Sequence, residues 1–142
     1  ETPAILFDVS HVQDREIDVA DLDFTRIERG MFVALYTGFI EKKGYGTAVY
    51  FQEHPVLSYA LIDALIEKEI AIIGVDFAGI RRGSEHPPAD QKCADHGVFV
   101  IENLCSLRTV MDQGGSFTAC TYPLHYTDMP GLPCRVVAKV EG

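Results

Sequence analysis

The run Ile70–Leu104, IAIIGVDFAGIRRGSEHPPADQKCADHGVFVIENL, decides the fold of this chain. It contains two short apolar runs, Ile70–Val75 and Val98–Ile101, and each is followed directly by an acidic residue, Asp76 or Glu102. Short runs that are rich in β-branched residues and bounded by glycine and charge are typical of buried strands. The residues between them have the length of a crossover between parallel neighbours. We therefore expect both carboxylates at the carboxyl edge of a sheet, where open α/β sheets bind their ligands.

Composition limits the class of protein and the kinds of partner. The chain has 142 residues, of which 47% are hydrophobic, and this is enough for one globular domain with a substantial core. The 21 acidic residues exceed the 12 basic ones and give a formal net charge of −9, which argues against nucleic acid or an anionic membrane as a partner. No apolar run is long enough to span a bilayer, and no signal peptide pattern opens the sequence. We expect a cytoplasmic protein that binds a small molecule.

The four cysteines are Cys93, Cys105, Cys120 and Cys134, and no two of them form a C-x-x-C pair. This spacing argues against a zinc ribbon. It favours reduced thiols that act as small core residues in a cytoplasmic protein.

The rest of the chain extends the α/β pattern around the central run. Ser58 is a good N-cap for an amphipathic helix over Tyr59–Glu69, and Ala89–His96 resembles a second, shorter helix. Lysine and glycine predict a mobile loop over Glu41–Gly46. The pattern predicts an α/β fold: a single domain with a mixed, partly parallel β-sheet flanked by helices, whose last two strands form an antiparallel ribbon. The remaining predicted strands are Ala4–Val9, Met31–Tyr36, Phe117–Tyr122 and Cys134–Val140.

Several polar residues of the central run are candidates for chemistry, and each has a structural alternative. Asp76 is equally consistent with a functional group and with a turn residue at the end of a strand. Glu102 follows a buried strand directly, and since acids are rarely buried without a partner or a metal, it favours a functional role. His86 lies in the predicted crossover loop, where it is either a metal ligand or a surface histidine. Asp90 lies in a charged stretch that is also consistent with a solvated helix face.

Four segments in the same order resemble the cyclase family of metal-dependent hydrolases, which includes bacterial kynurenine formamidase and isatin hydrolase. The first is the central pair, in which Gly74-Val75-Asp76 is followed after a loop by GVFVIENL. The others are VALYTGF at positions 33–39, His54-Pro55-x-Leu57-Ser58, and the terminal Gly131-x-Pro133-x-Arg135-Val136-Val137-Ala138. The resemblance covers essentially the whole chain.

This resemblance implies a swivelling β/β/α-like fold, in which residues 1–142 form a single cyclase-like domain that lacks an amino-terminal segment. The family signature H-x-G-T-H-x-D, which supplies most of the metal ligands and the catalytic acid/base, does not occur in these residues. Family members also carry a histidine twelve positions before the glutamate of the E-N-L run, and here that position is Asp90. The resemblance therefore implies Glu102 and Asp90 as metal ligands, since aspartate can ligate zinc or manganese through oxygen.

The function implied by the resemblance is metal-dependent hydrolysis of an amide bond, in an aryl formamide or a cyclic amide. The cofactor would be zinc or manganese if the missing motif is supplied, because two ligands do not hold a catalytic metal. Asp76, Thr37 and Phe39 would shape the substrate pocket, and no catalytic residue is assigned. Family members are typically dimers or larger, so we expect a homo-oligomer.

Two other functions stay open on the sequence. One is a relative that has lost catalysis and serves as a small-molecule binding or structural module, which the missing histidines and Asp90 favour. The other is an unrelated α/β domain in which Cys93 or Cys105 is a nucleophile. Neither cysteine has a histidine beside it in sequence.

Overall fold

Six strands form one mixed sheet in the computed structural model, which describes residues 1–140. The order across the sheet is β4-β3-β2-β1-β5-β6. Strands β1 to β4 run parallel to one another, whereas β5 pairs antiparallel with both β1 and β6. The predicted α/β class, with a mixed sheet and a terminal antiparallel ribbon, is confirmed. The strands are β1 (Thr2–Asp8), β2 (Phe32–Tyr36), β3 (Ile72–Val75), β4 (Phe99–Ile101), β5 (Ser116–Pro123) and β6 (Cys134–Lys139).

Five α-helices connect and cover these strands, and short 3-10 turns precede β2 and α4. The Ser58 hydroxyl accepts a hydrogen bond from the Leu61 amide at 3.0 Å and caps the third helix, as its sequence predicts. The helices are α1 (Phe39–Lys43), α2 (Ala48–Gln52), α3 (Tyr59–Glu67), α4 (His86–Asp95) and α5 (Leu107–Met111). No helix within residues 1–140 combines the length and the apolar character that a membrane crossing needs.

Each face of the sheet buries its own apolar cluster, because successive side chains of a strand point to opposite faces. On β2, Val33 and Leu35 face the larger cluster, whereas Phe32, Ala34 and Tyr36 face the smaller one. Residues of α3 and α4 pack into the larger cluster, and Leu107 and Val110 of α5 pack into the smaller one. The helices thereby cover both faces of the sheet.

The carboxyl ends of three parallel strands meet at one edge of the sheet. Thr37 follows β2, Asp76 follows β3 and Glu102 follows β4, and these strands are neighbours. The parallel pairing of the two central apolar runs is therefore as predicted. Beyond the strands, the Asn103 amide donates to the Phe77 carbonyl oxygen at 3.1 Å, which keeps the two chain segments together past the edge.

Two local predictions were wrong. The segment Glu41–Gly46 is not wholly a loop, because helix α1 continues to Lys43 before Gly44 ends it. The helix predicted at Ala89–His96 begins three residues earlier, at His86. Its Pro87 and Pro88 occupy the first turn, where a missing amide hydrogen costs no helical hydrogen bond.

Candidate metal centre

The earlier start of α4 brings three chemically active side chains together. His86 and Asp90 lie one helical turn apart on α4, and Glu102 lies just beyond β4. The His86 Nε2 atom is 2.9 Å from Asp90 Oδ2 and 2.9 Å from Glu102 Oε1. One ligand atom from each residue lies within 4.8 Å of the other two, which is close enough for all three to bind one cation. We call these three residues the His86 cluster.

Within residues 1–140, Asp90 Oδ1 is a buried side-chain oxygen without a hydrogen-bond partner. A buried acceptor in this state costs free energy, and an unpaired carboxylate oxygen costs more than a neutral one. The Nε2 atom of His86 can carry only one hydrogen, so it cannot donate fully to both neighbouring carboxylates. A cation would satisfy both deficits. An imidazole and two carboxylates also form a donor set that zinc and manganese accept, so the residues present fit a divalent metal.

Electrostatics at the His86 cluster also favour a cation. Burial raises the pKa of the Asp90 carboxyl, and His86 opposes this effect. Burial likewise raises the pKa of Glu102; His86 opposes this rise, and the neighbouring Asp90 charge adds to it. The two carboxylates are therefore costly to ionise side by side in the absence of a positive charge. A divalent cation would remove that cost.

His86 is the member of the cluster that sequence reasoning left undecided. A loop histidine has no defined neighbours, whereas a histidine on a helix faces the residue four positions later. The sequence does contain a signal for a helix that begins at His86, because the two prolines that follow it are typical of the first turn of a helix as well as of a loop. Recognising that turn would have placed His86 and Asp90 on one face.

Asp76 lies at the same sheet edge as Glu102 but makes different contacts. It is 1% exposed, and its carboxylate accepts hydrogen bonds from the Thr37 amide at 3.1 Å, the Thr37 hydroxyl at 2.6 Å and the Gly38 amide at 2.7 Å. Burial raises the pKa of this carboxyl, and these hydrogen bonds oppose the rise. In the structure, Asp76 therefore holds the turn that follows β2. The predicted role of Asp76, Thr37 and Phe39 in a substrate pocket stays a prediction.

An aromatic group lies beside this edge of the sheet. Phe39 of α1 packs against Tyr50 of α2 with ring centroids 5.7 Å apart, and the exposed rings of Tyr45 and Phe51 pack around Tyr50 as well. The buried Tyr50 hydroxyl donates to Asn103 Oδ1 at 2.8 Å, and Asn103 follows Glu102 directly. Burial raises the pKa of Tyr50, so this hydroxyl keeps its proton at neutral pH. The Tyr50 hydroxyl thereby links this aromatic group to the residue that follows Glu102 in the chain.

The cysteines do not contribute to this site. Cys93 is buried in the larger apolar cluster, and burial raises its thiol pKa to about 11. A thiol in that state is a poor nucleophile at neutral pH. All four cysteines are free, and Cys105 is exposed. The structure therefore gives no support to the cysteine-based alternative for Cys93.

The amino-terminal part of the chain matches a known protein family. Residues 2–81, more than half of the chain, match the Cyclase family model, whose description is "Putative cyclase". Among curated proteins, none matches this sequence.

The structure resembles several solved structures over nearly its whole length. A potential metal-dependent hydrolase with cyclase activity is 25% identical, with a TM-score of 0.78, and the match covers 99% of this chain and 66% of that one. A predicted metal-dependent hydrolase from Bacillus stearothermophilus is 27% identical, with a TM-score of 0.75. The match covers 96% of this chain and 62% of that one. Isatin hydrolase A from Labrenzia aggregata, bound to benzyl benzoate, shares the fold at 21% identity, with a TM-score of 0.78. The match covers 99% of this chain and 61% of that one. The chain thus spans less than two thirds of each of these proteins.

Proposed function

The chain belongs to the cyclase family, and on that premise we propose that it acts as a metal-dependent hydrolase of an amide bond. The proposed substrate is an aryl formamide or a cyclic amide. Support for this class comes from the metal-dependent hydrolases among the similar structures, and from the isatin hydrolases, since isatin is itself a cyclic amide. The exposed rings of Tyr45 and Phe51, which pack on the buried Tyr50, offer an apolar surface on which a ring of the substrate would pack.

The observation that carries this proposal is the unpaired Asp90 Oδ1 atom within the His86 cluster. His86 would bind a divalent cation through Nε2, and Asp90 and Glu102 would bind it through carboxylate oxygens. When bound, zinc or manganese supplies Lewis acidity toward an amide carbonyl and toward water, which is the chemistry that amide hydrolysis requires.

The other residues at the sheet edge have defined tasks in this proposal. The Asp76 carboxylate holds the Thr37–Gly38 turn, and that turn leads into α1, whose Phe39 supports Tyr50. The Tyr50 hydroxyl keeps its proton and donates a hydrogen bond to Asn103 Oδ1, which orients the segment that carries Glu102. These contacts hold the ligand-bearing backbone in place before substrate arrives, which is how enzymes reduce the cost of reaching a productive geometry.

Metal binding by the purified chain tests the site. After treatment with a chelator, titration with Zn²⁺ or Mn²⁺ in a calorimeter should show about one cation per chain. The midpoint temperature of thermal unfolding should rise, because a ligand at 100 times its dissociation constant stabilises the folded state by about 2.7 kcal/mol. The variants H86A and E102Q should lose both effects, whereas H125A should keep them, since His125 is an exposed histidine of the β5–β6 loop.

Hydrolysis of an aryl formamide and of a cyclic amide, each followed by absorbance, tests the reaction. The metal-loaded chain should hydrolyse one of the two, and the activity should disappear with chelator and with E102Q. A chain that binds no metal and hydrolyses neither substrate would contradict this proposal. That outcome would favour the alternative of an inactive cyclase relative that serves as a small-molecule binding or structural module.

A further inference from the structure

We propose that Gly79 is a positioning residue for the His86 imidazole, because only a residue without a side chain allows that ring to reach Asp90 and Glu102. This inference rests on the proposed function, since it concerns the same metal centre. Gly79 lies in the loop between β3 and α4, and it contributes no ligand atom of its own. Its effect would be exerted through the space that it leaves free.

The close approach of His86 to Gly79 is the first observation. A Cβ atom built on Gly79 would lie 2.8 Å from His86 Cε1 and 3.1 Å from His86 Nδ1. It would also lie 3.1 Å from the Arg81 carbonyl oxygen. Carbon atoms in contact are normally 3.5–4.0 Å apart, so an alanine here would push the ring away. Gly79 also has φ = +125°, a conformation that other residues rarely adopt.

The backbone around the ring has little freedom to move instead. The Arg81 side chain is 9% exposed, and its Nη1 atom donates to Glu16 Oε1 at 2.6 Å and to the Leu57 carbonyl oxygen at 2.7 Å. Its Nη2 atom donates to Glu85 Oε2 at 2.7 Å, which ties the loop to the residue just before α4. The guanidinium therefore holds both the loop and the start of the helix. A methyl group at Gly79 would displace the imidazole rather than the backbone.

The ring nitrogen next to the edge that contacts Gly79, Nε2, faces the carboxylates. The Nδ1–Cε1 edge packs on Gly79, while Nε2 lies 2.9 Å from each of the two acids. A movement of the ring at its Gly79 side therefore changes the position of the ligating nitrogen directly. Changes in the groups that orient a metal-bound histidine typically weaken metal binding by about 10- to 100-fold.

Binding of Co²⁺ by the full chain provides the test, because its visible absorption reports the coordination of the metal. In G79A, we expect about a 10- to 100-fold weaker Co²⁺ affinity and an altered spectrum. The matched control is G83A. Gly83 lies in the same loop and also has a positive φ, of +57°, but a Cβ there meets nothing within 4 Å. G83A should bind Co²⁺ like the wild type.

A double-mutant cycle without metal separates the contact from backbone strain. Strain at φ = +125° and the close approach to the Arg81 carbonyl oxygen are present whether or not residue 86 is histidine, but the 2.8 Å clash with Cε1 requires the imidazole. G79A should therefore lower the midpoint of unfolding by less in the H86A background than in the wild type. If G79A alone fails to fold, recovery of folding in the G79A/H86A double variant would support the proposal, and continued failure would overturn it.

The results also distinguish this inference from the proposed function. If the wild type binds no Co²⁺, Zn²⁺ or Mn²⁺, the proposed metal site is wrong, yet the cycle still measures the contact between Gly79 and His86. If the wild type binds metal and G79A binds it with equal affinity and an unchanged spectrum, the positioning role of Gly79 is wrong. In that case the metal site itself stands.

Discussion

At the carboxyl edge of this sheet, the hydrogen-bond donors that surround each acidic residue determine its role. Asp76 and Glu102 follow neighbouring parallel strands, yet their environments differ. The Asp76 carboxylate is surrounded by two backbone amides and a hydroxyl, so its lone pairs are used within the protein. Glu102 faces the His86 imidazole and a second carboxylate instead. Two acids at equivalent strand ends are thus suited to a structural and a ligand-binding role respectively.

Replacement of Asp76 by alanine should destabilise the protein by about 3 kcal/mol, because the buried Thr37 and Gly38 donors lose their acceptor. Urea denaturation measures this change. The T37S variant keeps the hydroxyl and should stay within about 1 kcal/mol of the wild type. A decrease of less than about 1 kcal/mol in the free energy of unfolding of D76A would show that the turn does not depend on this carboxylate.

Asp21 gives a prediction that depends on pH. The Arg15 guanidinium donates to both of its oxygens at 2.7 Å and is the main cause that lowers the Asp21 pKa to about 2, from an ordinary value of 3.8. Since the unfolded chain binds the proton more tightly, this contribution is present above the ordinary pKa and is lost as the pH falls toward 2. Arg15 is half exposed, which limits the gain through solvent screening.

The D21N variant should therefore lose about 1 kcal/mol of stability at pH 7, from the ion pair and from the hydrogen bond that Asp21 Oδ2 accepts from the Asp18 amide at 2.8 Å. The deficit should shrink by about half at pH 3. Urea unfolding at both pH values measures it, with D128N, a change at an exposed loop aspartate, as the control. A deficit that is equal at pH 7 and pH 3 would contradict the role of the Asp21 charge.

At the scale of elements, the packing of strand β3 depends on a residue without a side chain. A Cβ atom on Gly74 would lie 2.4 Å from Phe32 Cε1 and 2.8 Å from Leu104 Cδ1. Phe32 is completely buried in the smaller apolar cluster, so it has nowhere to move. Gly74 thus allows β2, β3 and the segment after β4 to pack closely.

The variant G74A should lose about 2 kcal/mol of stability, which is typical when a methyl group is forced into a packed core. Denaturant unfolding checks this value. G131A is the matched control, since a Cβ at Gly131 meets nothing within 4 Å and should change stability little. A G74A protein as stable as the wild type would mean that Phe32 repacks at no cost.

At the scale of the whole molecule, the homo-oligomer implied by the family resemblance stays a prediction. Several large apolar side chains are exposed on the β5–β6 ribbon and its connecting loop, and exposed apolar surface of this kind marks interaction sites. Sedimentation at micromolar concentration should give a mass at least twice the 15.7 kDa of one chain. A single species of 15.7 kDa would contradict it. The exposed residues are Tyr122, Leu124, Tyr126, Met129, Leu132 and Val137.

The sequence by itself determined the strands, the α/β class and the two acids at adjacent strand ends. The apolar runs of β2, β3 and β4 predicted these strands to within two residues, because burial of a strand requires a local pattern that does not depend on distant partners. The same local pattern placed Asp76 and Glu102 where the strands emerge. Order and spacing of the four segments were sufficient to indicate the cyclase family, which the match over residues 2–81 confirms.

Only the tertiary structure decided which groups meet. His86 and Glu102 are brought to 2.9 Å by the return of the chain from α4 into β4, and no local pattern encodes that distance. The start of α4 at His86 was also missed, since the residues before the prolines have the composition of a loop. The difference between Asp76 and Glu102 arises in the same way: the donors that surround Asp76 come from a turn 38 and 39 positions away in the chain. Ligand geometry depends on contacts between distant segments, and those contacts form only when the whole sheet is assembled.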